Sequence, residues 1–336
     1  MVSGLRRRRL CLLLLGAFVL VPAGALLAQQ GSVAAMFADD QKRGESIALS
    51  FATAELPATA AAPLPLHIYL TGGDLERAFD DARFRPDAAI IPTNTDLDIA
   101  AALPGTQQVL IERVRRQGDV FRDLQDQIAA RRTQARTATA GTQDVLSIGD
   151  GWFVVQLPRS TGGKVSGGAF PKLACLIPTE FPKGGAIDRR ELHSQDRVRK
   201  GIAGCLTALD AAGARSVVLP LMGAASSRTQ AKDPVFEGQS VLRECRQLNS
   251  LAGIAVGIHD FAPSRRNLRE IGIIHWDQEL IEMFSLPKGT RLAQAAQTAY
   301  RTYSDQIKLA LRKGLAGEKT TSTDIEGGCT SILNVN

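Results

Sequence analysis

The chain has 336 residues, of which 44% are hydrophobic and 22% are charged, a balance typical of a folded globular protein that excludes wholesale disorder. The net charge of +6 does not indicate nucleic-acid binding, because four of the positive charges are the consecutive residues Arg6–Arg9 and the rest of the chain is nearly neutral. We therefore expect no nucleic-acid partner.

Residues 1–28 have the three parts of a secretory signal peptide. Arg6–Arg9 are followed by the apolar run Leu10–Val21 and then by Pro22 and small residues up to Ala28. We expect cleavage after Ala25 or Ala28. The alternative is an uncleaved anchor, since Leu10–Ala28 is long enough to cross a bilayer. Both interpretations predict an exported protein, periplasmic or secreted, that meets the membrane only through this N-terminal segment.

Four regions are predicted along the chain. Residues 1–28 form the signal, and residues 29–65, rich in Ala, Ser, Gln and Pro, form a linker with one helix or strand around Ser46–Ala54. Residues 66–276 form an α/β domain. Residues 277–336 form a helical tail that becomes polar and disordered from Ala316.

Short apolar strands alternate with amphipathic helices from Leu66 onward. The predicted strands are Leu66–Leu70, Asp87–Ile91 ending at Pro92, a hairpin of Val145–Ile148 with Trp152–Leu157, Leu173–Ile177, Ser216–Leu221 and Ile254–Ile258. The predicted helices are Leu75–Phe84, Asp96–Arg116, Val120–Arg136, Asp196–Ala212, Gly238–Leu251, Asp277–Phe284 and Ala293–Leu315. This alternation predicts a three-layer α/β/α domain with a mostly parallel mixed sheet.

The cysteines and histidines show no metal-ligand spacing, so neither a metal nor a cofactor is expected. Cys175 and Cys205 lie in apolar sequence and are predicted to be buried free thiols. A disulfide would suit an oxidising compartment, but spacing does not define a pairing.

Ligands of such domains bind at the carboxyl ends of the strands, and the residues placed there by the prediction are informative. Asp74 follows the first strand and Asn94 follows the second. The small residues Gly223, Ala224, Ala225 and Ser226 follow the strand at 216–221, and Phe261 follows the last predicted strand. An acid, a carboxamide, a turn with accessible amides and an aromatic ring together suit a nucleotide diphosphate.

These residues resemble the macrodomain family, whose members bind ADP-ribose. The resemblance covers residues 66–275 and rests on Gly73-Asp74-Leu75, on the segment from Asp87 to Leu97 that contains Asn94, and on the segment from Gly204 to Gly223. It implies that Asp74 holds the adenine amine and Asn94 meets the distal ribose. Gly223, Ala224, Ala225 and Ser226 would enclose the diphosphate, and Phe261 would stack near the adenine.

Two departures from the family pattern keep other functions open. The family's glycine-rich loop after the asparagine is replaced by the segment from Asp96 to Gly105, whose side chains would crowd a diphosphate. Residues 112–171 are also longer than expected. The alternatives are a hydrolase of ADP-ribosyl or phosphoester bonds, with Asp96 or Asp260 as acid or base, and a scaffold with a decayed site that binds protein partners.

Overall fold

The structure is a computed structural model, and its chain divides into two units, Met1–Gln30 and Gly31–Asn336. The residues that it describes all lie in the second unit. They are residues 50–72, 86–97, 114–115, 118–138, 145–146, 151–157, 171–180, 195–222, 243–275, 291 and 305–320. None of the helices in these ranges is both long and apolar enough to cross a membrane.

The centre of the second unit is a seven-stranded sheet with the order β1-β2-β7-β6-β3-β5-β4. Its strands are β1 (Ser50–Leu56), β2 (Leu66–Gly72), β3 (Ala88–Asn94), β4 (Phe153–Gln156), β5 (Leu173–Glu180), β6 (Ser216–Pro220) and β7 (Glu270–His275). The central five are mutually parallel, and β1 and β4 pair with them antiparallel at the two sides. The predicted mostly parallel mixed sheet is confirmed.

The common direction of β2, β7, β6, β3 and β5 gives the sheet two distinct edges. Their last residues form one edge, here called the carboxyl edge, which includes Gly72, Asn94, Pro220 and His275. Their first residues form the opposite, amino edge. Any site built from strand ends must therefore lie on one of these edges.

Helices cover the sheet as the three-layer prediction requires. The described helices are α1 (Gly118–Ala138), α2 (Gln195–Ala211), α3 (Arg243–Phe261) and α4 (residues 305–315). Ala88 and Ile90 of β3 belong to the apolar cluster that contains α2, α3 and α4, whereas Ala89 and Ile91 belong to the cluster that contains α1. Successive strand residues point to opposite faces, so both faces of the sheet are buried and the strand is apolar throughout.

The strand predicted at Ile254–Ile258 is wrong, because these residues lie inside helix α3. Gly253 and Gly257 recur at a spacing of four and lie on the face of α3 that contacts α2. A Cβ on Gly253 would lie 2.8 Å from the carbonyl oxygen of Gln195, and one on Gly257 would lie 2.7 Å from that of Arg199. Close packing of two helices, and not strand formation, accounts for the small residues. The last strand is β7, which the sequence interpretation missed.

The predicted linker contains part of the sheet. Residues 50–56 form β1, paired antiparallel with β2, so the folded domain begins well before Leu66. Arg265 fixes the connection between the two strands. Its guanidinium is fully buried and donates to the carbonyl oxygens of Pro57 (2.7 Å), Leu64 (2.9 Å) and Ala262 (2.9 Å). Burial lowers the pKa of Arg265, and the nearby carboxylate of Asp210 opposes that shift.

The described part of the predicted tail packs into the domain. Four apolar residues of α4 are buried in the same cluster as α2 and α3; they are Ile307, Ala310, Leu311 and Leu315. Beyond α4, the side-chain amide of Gln195 donates to the carbonyl oxygen of Thr320 at 2.7 Å. The apolar face of α4 is therefore part of the core, Thr320 is held to α2, and the rest of the tail after residue 320 lies outside the described residues.

Cys175 and Cys205 form a disulfide between β5 and α2, so the prediction of free thiols is wrong. Both residues are fully buried, and their Cα atoms are 5.8 Å apart. The bond joins the sheet to one of the helices that cover it.

Removing the disulfide should destabilise the protein. Its two cysteines are 30 residues apart, and closing a loop of that size constrains the unfolded chain by about 3–4 kcal/mol. We expect the double variant Cys175→Ala/Cys205→Ala to lose about that much unfolding free energy in urea titrations. Cys329→Ala should leave the free energy unchanged and serves as the control. Equal stability of the double variant and the wild type would contradict the assignment.

Candidate functional site

The pairing between β3 and β6 ends before the carboxyl edge, and this gap in the pairing is here called the opening. These strands are paired only through Ala88 and Ala89, which face Val217 and Val218 at the amino side. Beyond these residues, the register partners of β3 in the described part of the chain belong to β5. Proline is tolerated at position 92 because β6 is not paired there, so the strand needs no backbone amide donor on that side. The strand therefore continues to Asn94, three residues beyond the predicted end.

Asn94 is the predicted site residue that the structure places at this opening. It is the last residue of β3 and is 4% exposed. Its carbonyl oxygen accepts a hydrogen bond from the amide of Leu97 at 3.2 Å, which closes a turn. The turn holds the carboxamide where β3 leaves the sheet.

The turn is fixed from outside by two other parts of the chain. The carbonyl oxygen of Thr95 accepts hydrogen bonds from the amides of Val145 (3.0 Å) and Leu146 (2.9 Å). Arg132 of α1 donates from Nε to the carbonyl oxygen of Asp96 at 2.8 Å. Val145 and Leu146 thus bond to the turn, whereas the sequence assigned them to a hairpin with residues 152–157. Among the described residues, β4 pairs only with β5.

Thr93 carries a buried hydroxyl without a hydrogen-bond partner in the structure. The residue is 0% exposed, directly precedes Asn94, and lies on the part of β3 that has lost its β6 neighbour. Buried hydroxyls are normally hydrogen-bonded to protein groups or to water.

Leu97 adopts a strained backbone conformation beside Asn94. Its φ is +54°, and it is the one residue other than glycine in the described ranges with a positive φ. The left-handed conformation costs an L-residue about 1–2 kcal/mol. Its side chain is fully buried in the cluster that contains Val120 and Leu124 of α1. Core packing thus holds Leu97, the last residue of the segment that resembles the family, in a backbone conformation that favours glycine.

Most of the other predicted site residues lie outside the described residues. Asp74 comes two residues after Gly72 of β2, and Gly223, Ala224, Ala225 and Ser226 directly follow Met222, just beyond β6. Their chain positions follow the carboxyl ends of β2 and β6. Their roles remain predictions.

The expected position of Phe261 is wrong. It does not follow a strand but ends α3, where the chain turns toward the start of β7. The segment that follows lies at the amino edge, since the amide of Arg269 donates to the carbonyl oxygen of Arg215, just before β6. Phe261 is 2% exposed and belongs to the core. It lies at the opposite edge from Asn94, and we do not retain it as a ligand residue.

Asp260, expected as an acid or base of a hydrolase, and its neighbour His259 do not follow a strand. They lie in the last turn of α3, where Asp260 forms an ion pair with Arg199 of α2. That hydrogen bond raises the pKa of Arg199, and Nδ1 of His259 lies 3.4 Å from the same carboxylate. The group forms a partly exposed ion-pair network between two helices, remote from the opening.

The described part of the chain contains no group of three or more His, Cys, Asp or Glu residues arranged to bind a metal ion. The carboxylate of Asp210 is almost fully buried, but it is occupied by structural hydrogen bonds. It accepts hydrogen bonds from the amides of Arg266, Asn267 and Leu268 at 2.7–2.9 Å. It thereby fixes the turn that leads into β7.

No protein-family model matches the chain, and no curated protein matches it. The chain is similar to solved structures of the Oceanobacillus iheyensis macrodomain. A mutant form is 10% identical, covers 74% of this chain and 98% of its own, and has a TM-score of 0.37. A mutant with ADPR is also 10% identical, covers 74% of this chain and 99% of its own, and has a TM-score of 0.35. The macrodomain with ADP is 10% identical, covers 74% of this chain and 97% of its own, and has a TM-score of 0.36. The fold class of this chain rests on its own sheet topology.

Leu97→Gly should be less destabilising than Leu97→Ala. Both variants lose the buried side chain, at a cost of about 2–5 kcal/mol, but glycine adopts a positive φ freely and should recover about 1 kcal/mol. Leu124 in α1 supplies the matched control, because glycine is about 1 kcal/mol worse than alanine inside a helix. Urea unfolding of the four variants should give opposite orders at the two positions. The same order at both would show that Leu97 carries no backbone strain.

Proposed function

We propose that this protein binds a nucleotide diphosphate of the ADP-ribose type at the carboxyl edge of its sheet. The observation that carries the proposal is the loss of pairing between β3 and β6 beyond Ala89, which leaves Asn94 next to an opening. In open α/β sheets such an opening at the strand ends is where ligands bind. The ligand class follows from the resemblance of residues 66–275 to macrodomains.

Each part of the proposed site has a separate chemical task. The Asn94 carboxamide both donates and accepts hydrogen bonds, as a ribose diol requires. The segment from Gly223 to Ser226 would offer backbone amides to the diphosphate, because its small residues let the phosphates approach closely. Asp74 would accept a hydrogen bond from the adenine amine.

A second candidate function is a scaffold whose nucleotide site is closed. The segment from Asp96 to Gly105 favours it, since this segment replaces the glycine-rich loop that the family resemblance predicts after the asparagine. Such a scaffold would bind protein partners through its long segment 112–171. The tail is less suited to that role, because residues 305–320 pack against the domain.

Titration calorimetry of the full chain with ADP-ribose tests the first proposal. We expect saturable binding by the wild type and at least tenfold weaker binding by Asn94→Asp, whose added negative charge repels the diphosphate while its size is unchanged. Phe261→Leu at the amino edge is the matched control and should bind as the wild type does. No binding at millimolar ADP-ribose by a folded wild type would contradict the proposal and favour the scaffold. Equal losses in both variants would also contradict the assigned edge.

We also propose that the domain acts after export. The N-terminal pattern of residues 1–28 supports export, and the Cys175–Cys205 disulfide suits an oxidising compartment. Both features are independent of the ligand.

Export can be tested with alkaline phosphatase fused to the C-terminus of the full chain, since this reporter is active only where its disulfides form. We expect activity from the wild type and loss of activity from Leu13→Arg/Leu14→Arg, which interrupts the apolar run. N-terminal sequencing would show whether the chain begins after Ala25 or Ala28 or is an uncleaved anchor. An inactive wild-type fusion that accumulates in the cytoplasm would contradict export.

A further inference from the structure

Strand β4 ends the sheet on the side away from β1, and a groove lies along it. The groove has a volume of about 490 Å³ and runs between β4 and α1. Its lining residues are Gln127, Ala130, Arg131, Gln134, Phe153 and Val154. The groove lies beside β4, the antiparallel strand at the end of the sheet, and β5 separates β4 from β3 and the opening.

One position of this strand edge is already occupied by a side chain that imitates a neighbouring strand. The amide of Gln156 donates to Oε1 of Gln127 at 2.9 Å, and Nε2 of Gln127 donates to the carbonyl oxygen of Gln156 at 2.8 Å. A primary amide used in this way forms both hydrogen bonds that an added β-strand would form. The outward groups of Gln156 are therefore satisfied.

Val154 is the next residue of β4 whose backbone amide and carbonyl point away from β5, and these two groups are unpaired among the described residues. The residue after Gln156, Leu157, bonds inward, since its amide donates to the carbonyl oxygen of Lys172 at 2.7 Å. Hydrogen-bonding direction alternates along an antiparallel strand, so the amide and carbonyl of Val154 face outward as those of Gln156 do. They have no partner among the residues that the structure describes. An unpaired strand edge of this kind is a template for another extended chain.

The charge of the groove indicates which chain would fit. Arg131 is the one charged residue among the lining residues that the structure describes. Its Nη1 donates to Oε1 of Gln134 at 3.1 Å, and its buried Nε has no acceptor. A guanidinium with unused donors is complementary to a carboxylate. Phe153 adds an apolar wall next to it. On the other side of β4, the exposed ring of Trp152 lies against Gly204 of α2.

We propose that this edge binds an extended peptide segment of another protein that carries an acidic side chain. The backbone of the segment pairs with Val154 and adds an eighth strand to the sheet, and its carboxylate bonds to Arg131. The pairing provides affinity for an extended chain, and Arg131 provides the preference for an acid. The proposal does not depend on nucleotide binding.

The probe for the test is a fluorescein-labelled peptide, acetyl-Thr-Val-Glu-Val-Thr-amide, titrated with the full chain and followed by fluorescence anisotropy. We expect saturable binding and about tenfold weaker binding when the Glu of the peptide is replaced by Gln, because a charge-assisted hydrogen bond is lost. Arg131→Gln should bind both peptides with equal, weaker affinity. Arg122→Gln, at another position of α1, should keep the preference for Glu.

Backbone pairing is tested separately from charge. A peptide that is N-methylated on alternate amides cannot form the outward hydrogen bonds and should bind at least tenfold more weakly, with no change to the protein. Val154→Pro removes the donor from an edge position that tolerates proline and should have the same effect. Unchanged binding of the methylated peptide would overturn the proposal, as would slow hydrogen exchange of the Val154 amide in the free protein, because the edge would then already be paired.

Discussion

The parallel pairing of β2, β7, β6, β3 and β5 is the constraint on which the rest of the structure depends. It forces the connections between these strands to cross the faces of the sheet, so both faces carry helices and the strands are apolar on both sides. It also collects the carboxyl ends of strands that are distant in sequence at one edge. Because β3 and β6 pair only through Ala88 and Ala89, the opening lies at that edge beside Asn94.

The helical layer is held to the sheet by features that act at close range. Gly253 and Gly257 let α3 approach α2, and the disulfide joins α2 to β5. At the amino edge, Arg265 and Asp210 bond to backbone groups and fix the entry into β7. These buried charges stabilise the edge opposite the proposed site. The carboxyl edge contains Leu97, whose positive φ is maintained by the burial of its side chain.

The sequence predicted the fold class and most of the elements that fall within the described residues, because continuous apolar runs such as Leu173–Ile177 and a long amphipathic pattern such as Val120–Arg136 are strong signals. The predicted helices Leu75–Phe84 and Asp277–Phe284 lie outside the described residues. The sequence interpretation failed at Ile254–Ile258, where a short apolar run with glycines has no periodicity that separates a strand from a buried helix. That error also moved Phe261 to the wrong edge. The strain at Leu97 and the disulfide could not be predicted, since both arise from tertiary packing that brings distant residues together.

The most direct test of the carboxyl-edge site is hydrogen–deuterium exchange of the full chain with and without saturating ADP-ribose. A ligand bound beside Asn94 predicts slower exchange in peptides that cover residues 93–97 and 220–226, and no change in residues 259–269 at the amino edge. Slower exchange confined to residues 259–269, or to residues 151–157 along β4, would contradict the assignment of the site.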